Sequence, residues 1–408
     1  MTKLLKCRSC SSSELHTFLD LGIMPIADRL LTTEQLDQEE PAYPLVTAFC
    51  KNCSLVQITE TVPPEILFCN DYPYYSSVIQ SLLSHSHDNV LELINRLCLD
   101  STHLVIEIAS NDGYLLKNYV AKGIPCLGID PAEGPAQAAI KVGVPTINTF
   151  FTVDLAKKLA TEGKKADVIH ANNVLAHVAD TNGFVQGIAI LLKKEGTAVI
   201  EVPYLKNLID KLEFDTIYHQ HLCYFSVTAL DILFRRHGLY LNDIKSIAIH
   251  GGSIRLYVQP YEDVEQSVKQ YLTQEHESGL DTFTYYRNFA SRIKELKEEL
   301  LSLFLKLKNQ GKTIAGYGAA AKGCTLINYV GLDKELLPWI VDINNHKQGK
   351  YMTGKHQPIF HPDKLKEELP DYTLILPWNF KEEILSQQQE YRKKGGKFII
   401  PIPKPIIL

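Results

Sequence analysis

The chain has 408 residues, 45% of them hydrophobic and 22% charged, with a formal net charge of −5. That length allows about two to four domains of ordinary size, and the balance is that of a globular protein rather than a disordered or fibrous one. The slight negative charge and the lack of a long basic run argue against a nucleic-acid binder, and no stretch supplies the roughly 20 apolar residues of a membrane span. The opening residues lack an apolar core of signal-peptide length, so cytoplasmic residence is the expectation.

Residues 1–68 carry two Cys-x-x-Cys pairs, Cys7/Cys10 and Cys50/Cys53, and a strand-like alternation from Leu55 to Thr59. So small a segment builds little core of its own, and four thiolates around a zinc ion at about 2.3 Å would supply the missing folding energy. A redox dithiol would need only one pair. The other five cysteines, Cys69, Cys98, Cys126, Cys223 and Cys324, are scattered, as free thiols are in a reducing compartment.

From about residue 70 to 262, apolar strand-like runs beginning at His103, Pro125, Ala166 and Gly196 leave room for helices between them. This predicts a doubly wound α/β unit with a mainly parallel sheet. The first run ends in Glu107-Ile-Ala-Ser-Asn-Asp-Gly113. A dinucleotide site would place Gly-x-Gly-x-x-Gly there. This loop carries acids instead, which suit a ligand with a positive end, such as the amino group and sulfonium of S-adenosylmethionine. Glu107, Ala109, Asn111, Asp112 and Gly113 are therefore candidate cofactor residues, with Asp130 placed to accept from ribose hydroxyls. The competing expectation is that Asn111 and Asp112 only cap the next helix. Asn172, Asn173 and His177 follow a later strand, and Tyr218, His219, His221 and Tyr224 crowd one short stretch whose histidines suit proton transfer near neutrality. The turn His250-Gly251-Gly252-Ser253 could face the same cleft.

Charged residues from about 265 to 312 read as amphipathic connector helices, and a second α/β unit runs from Lys312 onward. Its loop Gly316-Tyr-Gly-Ala-Ala-Ala-Lys-Gly323 would put backbone amides, Tyr317 and Lys322 at a helix N-terminus, a suitable anion site.

Taken in order, the cysteine pairs, the 71–77 tyrosine motif, the 107–113 loop, the 173–177, 214–226 and 250–253 segments, the 316–323 loop, His346-Lys-Gln-Gly349 and Pro377-Trp-Asn-Phe380 give the chain its character. It resembles the zinc-containing, S-adenosylmethionine-dependent sugar C-methyltransferases that act on nucleotide-activated ketodeoxysugars. The resemblance implies a zinc module (1–68), a central Rossmann-like methyltransferase domain (69–262), and a helical connector with a C-terminal Rossmann-like sugar-nucleotide domain (263–408). It implies methylation beside the ketone of a 4-keto-6-deoxysugar, commonly at C3 with C5 as the alternative, carried on dTDP or else GDP, by a monomer. His221 would be the base, with Tyr218, His177, Tyr74 and Gln220 around the reacting sugar. Tyr224, His250, Gly251, Gly252, Ser253, Tyr317 and Lys322 would line the substrate side. Two positions depart from the pattern: Gln220 stands where a glutamate is usual, and Ala109 where a glycine is usual. Glutamine can orient His221 but cannot supply charge to it, so either His221 would be a weaker base or His219 would share its work. The rival readings are an NAD-dependent nucleotide-sugar oxidoreductase or epimerase, and a catalytically inactive sugar-nucleotide-binding protein.

Overall fold

Strands form where apolar residues alternate or run together, and among the described residues they make three larger sheets and a short antiparallel pairing of Thr2–Lys3 with Glu60–Thr61. The structure, a computed structural model, describes residues 2–3, 6–68 and 74–408; Cys69 and positions 71–73 of the tyrosine motif lie outside the described residues. Near the N-terminus, antiparallel strands Leu15–Pro25, Ala42–Cys50 and Val56–Ile58 form a sheet. Its fourth strand is Cys223–Tyr224, from far down the chain. Phe18, Leu19, Phe49 and Leu55 join the same buried apolar cluster as the central unit. The module expected to lack a core thus shares one.

The central sheet has seven strands, in the order Tyr240–Ile247, Ser253–Gln259, Leu192–Pro203, Ala166–Asn172, Val105–Ile108, Cys126–Asp130, Thr146–Asn148. The five from Leu192–Pro203 to Thr146–Asn148 run parallel, and Ser253–Gln259 is antiparallel to both its neighbours. Chain order reverses on either side of Val105–Ile108, so the carboxyl end of that strand opens a crevice where ligands bind in such sheets. Ile106 and Ile108 belong to one core cluster and Val105 to another, as period-two alternation requires. Helix Gln80–Leu97 covers the second face with Leu82, Val90 and Leu93.

The connector divides in two. Helix Gln266–Ser278 docks on the central unit, where fully buried Glu275 accepts from the backbone N–H groups of Val227 (2.7 Å) and Thr228 (2.8 Å) and from the Tyr204 hydroxyl (2.9 Å). Helix Phe289–Asn309 buries Ile293, Leu296, Leu300, Phe304 and Leu307, one stripe at helical spacing.

The C-terminal sheet runs Ile359–Phe360, Ile340–Val341, Ile314–Tyr317, Tyr372–Ile375, Lys397–Ile400, Ile406–Ile407. The run from Leu337 to Asp342 yields only Ile340–Val341, because Pro338 has no N–H to offer a ladder. Both α/β units use one device. Asp130 and Asp342, each at the end of the second strand, accept from a first-loop N–H (Asn111, 2.8 Å; Ala319, 2.7 Å) and from the N–H two residues on (Ala132, 2.9 Å; Asn344, 2.8 Å). Among the described residues no helix is long and apolar enough to cross a membrane.

Candidate functional site

The four paired cysteines converge, with all four sulfurs within 4.8 Å of one another. Cys7 and Cys53, and Cys10 and Cys50, stand 3.5 Å apart at sulfur. Thiolates bound tetrahedrally at 2.3 Å would be about 3.8 Å apart, so the set fits a structural zinc ion with all four positions filled by protein. The two turns are near copies: Ser11 N–H donates to the Cys7 carbonyl and Ser54 N–H to the Cys50 carbonyl, both at 2.9 Å. Ser11 and Ser54 share a φ of 59°. Asn182 of the central unit donates to the carbonyls of Arg8 (2.8 Å) and Ser9 (2.9 Å), which ties the first turn down.

At the crevice the 107–113 loop is tightly bent, with Ala109, Asn111 and Gly113 at φ of 58°, 49° and 76°. Asn111 and Asp112 do not cap the following helix, which begins only at Lys117. Instead the Asn111 side chain accepts from Ser76 N–H (2.8 Å), and Asp112 accepts from Ser77 N–H (3.1 Å). Asn111 also donates to the Tyr74 carbonyl (3.2 Å), which fastens the 74–77 segment over the loop. Burial pushes the Tyr74 phenol up to about 12, so it stays protonated.

Acceptors outnumber donors here. Both carboxylate oxygens of Glu107, Oδ1 of Asp112, Oδ1 of Asn172 and Oγ of Ser110 are buried without a hydrogen-bond partner. Burial, reinforced by the charges of Asp130, Asp112 and Glu201, holds the Glu107 carboxyl well above its usual range, and burial raises Asp130 to about 6. Such an excess of acceptors and latent negative charge fits a ligand carrying an ammonium and a sulfonium. Asn172 ends its strand, and Asn173, at φ 54°, donates its N–H to the Glu201 carbonyl (2.8 Å).

A second cluster holds the ring systems. His221 Nδ1 lies 2.8 Å from the Thr216 carbonyl and its Nε2 lies 3.0 Å from the Tyr218 hydroxyl. A carbonyl can only accept, so Nδ1 carries the proton and Nε2 presents a lone pair. The Tyr218 ring stacks on His221 at 4.1 Å, and the His177 ring meets it edge-on at 4.7 Å. Burial lowers His177 to about 4, partly offset by backbone hydrogen bonding at Gln220 and Asn173, so His177 is neutral at pH 7. The Tyr224 hydroxyl donates to the His221 carbonyl (3.0 Å).

The departure at Gln220, and the role expected of His219 because of it, acquire a physical meaning. Gln220 is buried with both polar atoms unpartnered, so the Thr216 carbonyl, rather than residue 220, fixes the His221 tautomer. His219 is fully buried and turned toward the N-terminal module, 3.2 Å from the Pro44 carbonyl and edge-on to Tyr43, so it is placed to join modules rather than to share a proton with His221.

The remaining candidates separate. Gly251 and Gly252 take φ of 93° and 119° in the turn; the His250 side chain lies outside what is described. Ser253 is buried and donates to the Ile249 carbonyl (3.1 Å). Tyr317 is buried in its own unit, donating to Gln387 (3.2 Å) and accepting from Gln388 (3.5 Å). The Lys322 ammonium donates to Asn379 (2.7 Å) and sits 4.4 Å above the Trp378 ring. Burial lowers its pKa, while Asp215 and Glu213 pull it back up, so carboxylates already face the charge expected to meet an anion.

Sequence reasoning overlooked a buried network beneath the loop, in which Glu201 accepts from Arg255 Nε (2.8 Å) and pairs with His85 Nε2 (2.9 Å). It also gave no role to Thr216, which acts through its backbone carbonyl.

A zinc binding domain profile matches residues 7–68, a methyltransferase domain profile residues 82–243, and a C-methyltransferase C-terminal domain profile residues 248–403. Over 406 residues the chain is 33% identical to C-methyltransferase NovU from Streptomyces niveus, covering 99% of this chain and 96% of that one. A 93-residue stretch is 30% identical to the ubiquinone biosynthesis O-methyltransferase of Bartonella tribocorum, covering 22% of this chain and 38% of that protein. Among solved structures, the PH0226 protein from Pyrococcus horikoshii OT3 aligns with a TM-score of 0.38 at 15% identity, over 50% of this chain and 100% of that one. The full-length match and the three profiles, which follow one another along most of the chain, establish that the chain belongs to the zinc-domain C-methyltransferases, which depend on S-adenosylmethionine.

Proposed function

We propose that this C-methyltransferase alkylates the carbon beside the ketone of a 4-keto-6-deoxysugar carried on a nucleoside diphosphate, dTDP in the first instance, at C3. The observation that supports this most directly is the His221 imidazole, which has its Nδ1 proton committed to the Thr216 carbonyl and its Nε2 lone pair beside the Tyr218 phenol. A ketone acidifies its neighbouring C–H, and a neutral imidazole of fixed tautomer is the group to remove that proton. When the sugar carbon takes the place of the phenol at Nε2, the Tyr218 hydroxyl is released to donate to the enolate oxygen. Neutral His177 and the protonated Tyr74 are the further donors within this reading.

S-adenosylmethionine supplies a methyl group on a sulfonium. Glu107, Asp112 and Asn172 would receive its ammonium and sulfonium end, Asp130 its ribose, and Ala109, Asn111, Gly113 and Asn173 would shape the loop. His221 would take the proton from the sugar carbon, and the enolate carbon so formed would accept the methyl group that the cofactor would supply, the carbon–sulfur electron pair staying with sulfur. Base catalysis of this kind contributes typically ~10²–10⁴-fold, and preorganised donors at the enolate oxygen a comparable amount or more. Residues 1–68, 69–262 and 263–408 serve as zinc module, cofactor domain and sugar-nucleotide side, with the chain acting as a monomer.

The test is incubation with dTDP-4-keto-6-deoxysugars in D2O, with and without S-adenosylmethionine, followed by NMR and mass spectrometry, with GDP-linked sugars as the second arm. Methyl gain alpha to the ketone, and solvent exchange at that carbon without cofactor that disappears in His221→Asn, are expected. If both sets of sugars bind and neither exchange nor methylation occurs, the proposed substrate class is wrong.

A further inference from the structure

The turn that holds His221 is itself held from another unit. Thr216, whose carbonyl accepts from the imidazole, lies between Asp215 and Ile217, and a side chain of the C-terminal unit grips each neighbour. Trp378 Nε1–H donates to Asp215 Oδ2 at 2.8 Å, with Asp215 0% exposed. Thr325, on helix Ala321–Val330, donates its hydroxyl to the Ile217 carbonyl at 3.1 Å. Tyr329 of the same helix meets Phe214 edge-on at 5.2 Å. The indole occupies space that residue 251 leaves for it: a Cβ there would stand 2.9 Å from the Trp378 ring and 3.1 Å from the Glu213 carboxylate. Lys322 above the indole faces Asp215 and Glu213, so the joint also carries charge compensation.

We propose that Trp378 and Thr325 are positioning residues for His221, setting its tautomer and orientation through the 214–217 turn, so that the C-terminal unit governs proton abstraction as well as flanking the substrate. The chain of bonds is short: indole N–H to carboxylate, one residue along the backbone, carbonyl to imidazole. Loosening the turn at Asp215 or Ile217 frees the Thr216 carbonyl to rotate away, and the proton on Nδ1 loses the acceptor that keeps it there. The inference rests on His221 being the base, and its test reads the imidazole directly.

The protein is labelled with 15N-histidine, and the His221 ring nitrogens, assigned by their loss in His221→Asn, are followed in Trp378→Phe, Thr325→Val, Asp215→Leu and Asp215→Asn. Wild type should show the Nδ1–H form. Trp378→Phe and Asp215→Leu should shift it to a mixture of tautomers and lower alpha-proton exchange about tenfold through kcat, with KM and S-adenosylmethionine affinity within about twofold. Thr325→Val, the mildest change, should act in the same direction, and Asp215→Asn, which keeps an acceptor for the indole, should restore the signature lost in Asp215→Leu. An unchanged nitrogen signature in both Trp378→Phe and Asp215→Leu overturns the proposal, as does a parallel loss of cofactor affinity, which would mark general damage to the fold. If wild type exchanges no ketosugar proton, the substrate reading fails, and the nitrogen signature still decides this inference.

Discussion

Replacing Ala109 with glycine should stabilise the protein. Ala109 has φ of 58°, and its N–H is held by the Ile129 carbonyl at 2.8 Å, so the backbone cannot relax out of the left-handed region. Left-handed backbone costs an L-residue about 1–2 kcal/mol, which glycine does not bear, while the extra freedom of glycine in the unfolded chain returns about 0.5–1 kcal/mol of that gain. The net expectation is about 0.5–1 kcal/mol in favour of Ala109→Gly. Asn111 and Asn173 sit at similar φ without comparable strain, because asparagine tolerates that region. The measurement is urea unfolding of both proteins monitored by circular dichroism, with Ala109→Val as the opposite control, since a β-branched side chain at positive φ should destabilise. Equal or lower stability of the glycine variant would show that the loop does not hold a strained alanine.

Other expectations follow from the same geometry. Removing zinc by chelation, or Cys10→Ser, should lower the thermal midpoint and reduce alpha-proton exchange more than cofactor affinity, because Cys223–Tyr224 is a strand of the module's own sheet; calorimetry and exchange rates check this. Gly128→Ala should weaken S-adenosylmethionine binding in titration calorimetry, since the added carbon would stand 2.5 Å from Ser110 Oγ and 2.9 Å from Thr146 Oγ1 and so push on the cofactor loop. Asp130 has a folded-state pKa of about 6 against an ordinary 3.8, so its protonated form stabilises the ligand-free protein below about pH 4 and that contribution is lost as pH rises through 6. The gap is worth about 3 kcal/mol. The stability of wild type relative to Asp130→Asn should therefore fall between pH 4 and 7 in pH-resolved unfolding, and a flat difference would contradict the raised pKa.

The zinc site and the parallel core were legible because their signals are local: two cysteine pairs at fixed spacing, and apolar runs ending in a bent acidic loop. Even so, strand Leu15–Pro25 was not anticipated, since its burial is irregular and its register shifts twice against Ala42–Cys50. Asn111 and Asp112 illustrate a different limit. Their residue types matched both a helix cap and a ligand contact, yet their partners are backbone N–H groups of Ser76 and Ser77, which no spacing rule connects to residue 111. Thr216 was invisible because a backbone carbonyl has no residue-type signature. Lys322 looked like an anion site in its own loop, and only the tertiary fold brings Asp215 and Glu213 to it.

The pairing of Val56–Ile58 with Cys223–Tyr224 has a consequence for how the chain is made. During synthesis the cysteine-bearing segment leaves the ribosome first and can gather its metal while one edge of its sheet still lacks a neighbour. That edge is apolar and closes only when residues 223–224 emerge, so the nascent chain carries an open strand, a template for mispairing, throughout most of the synthesis of the central sheet. A fragment cut after residue 68 should therefore tend to self-associate, and a graft of this module onto another methyltransferase would need the Cys223–Tyr224 strand to travel with it.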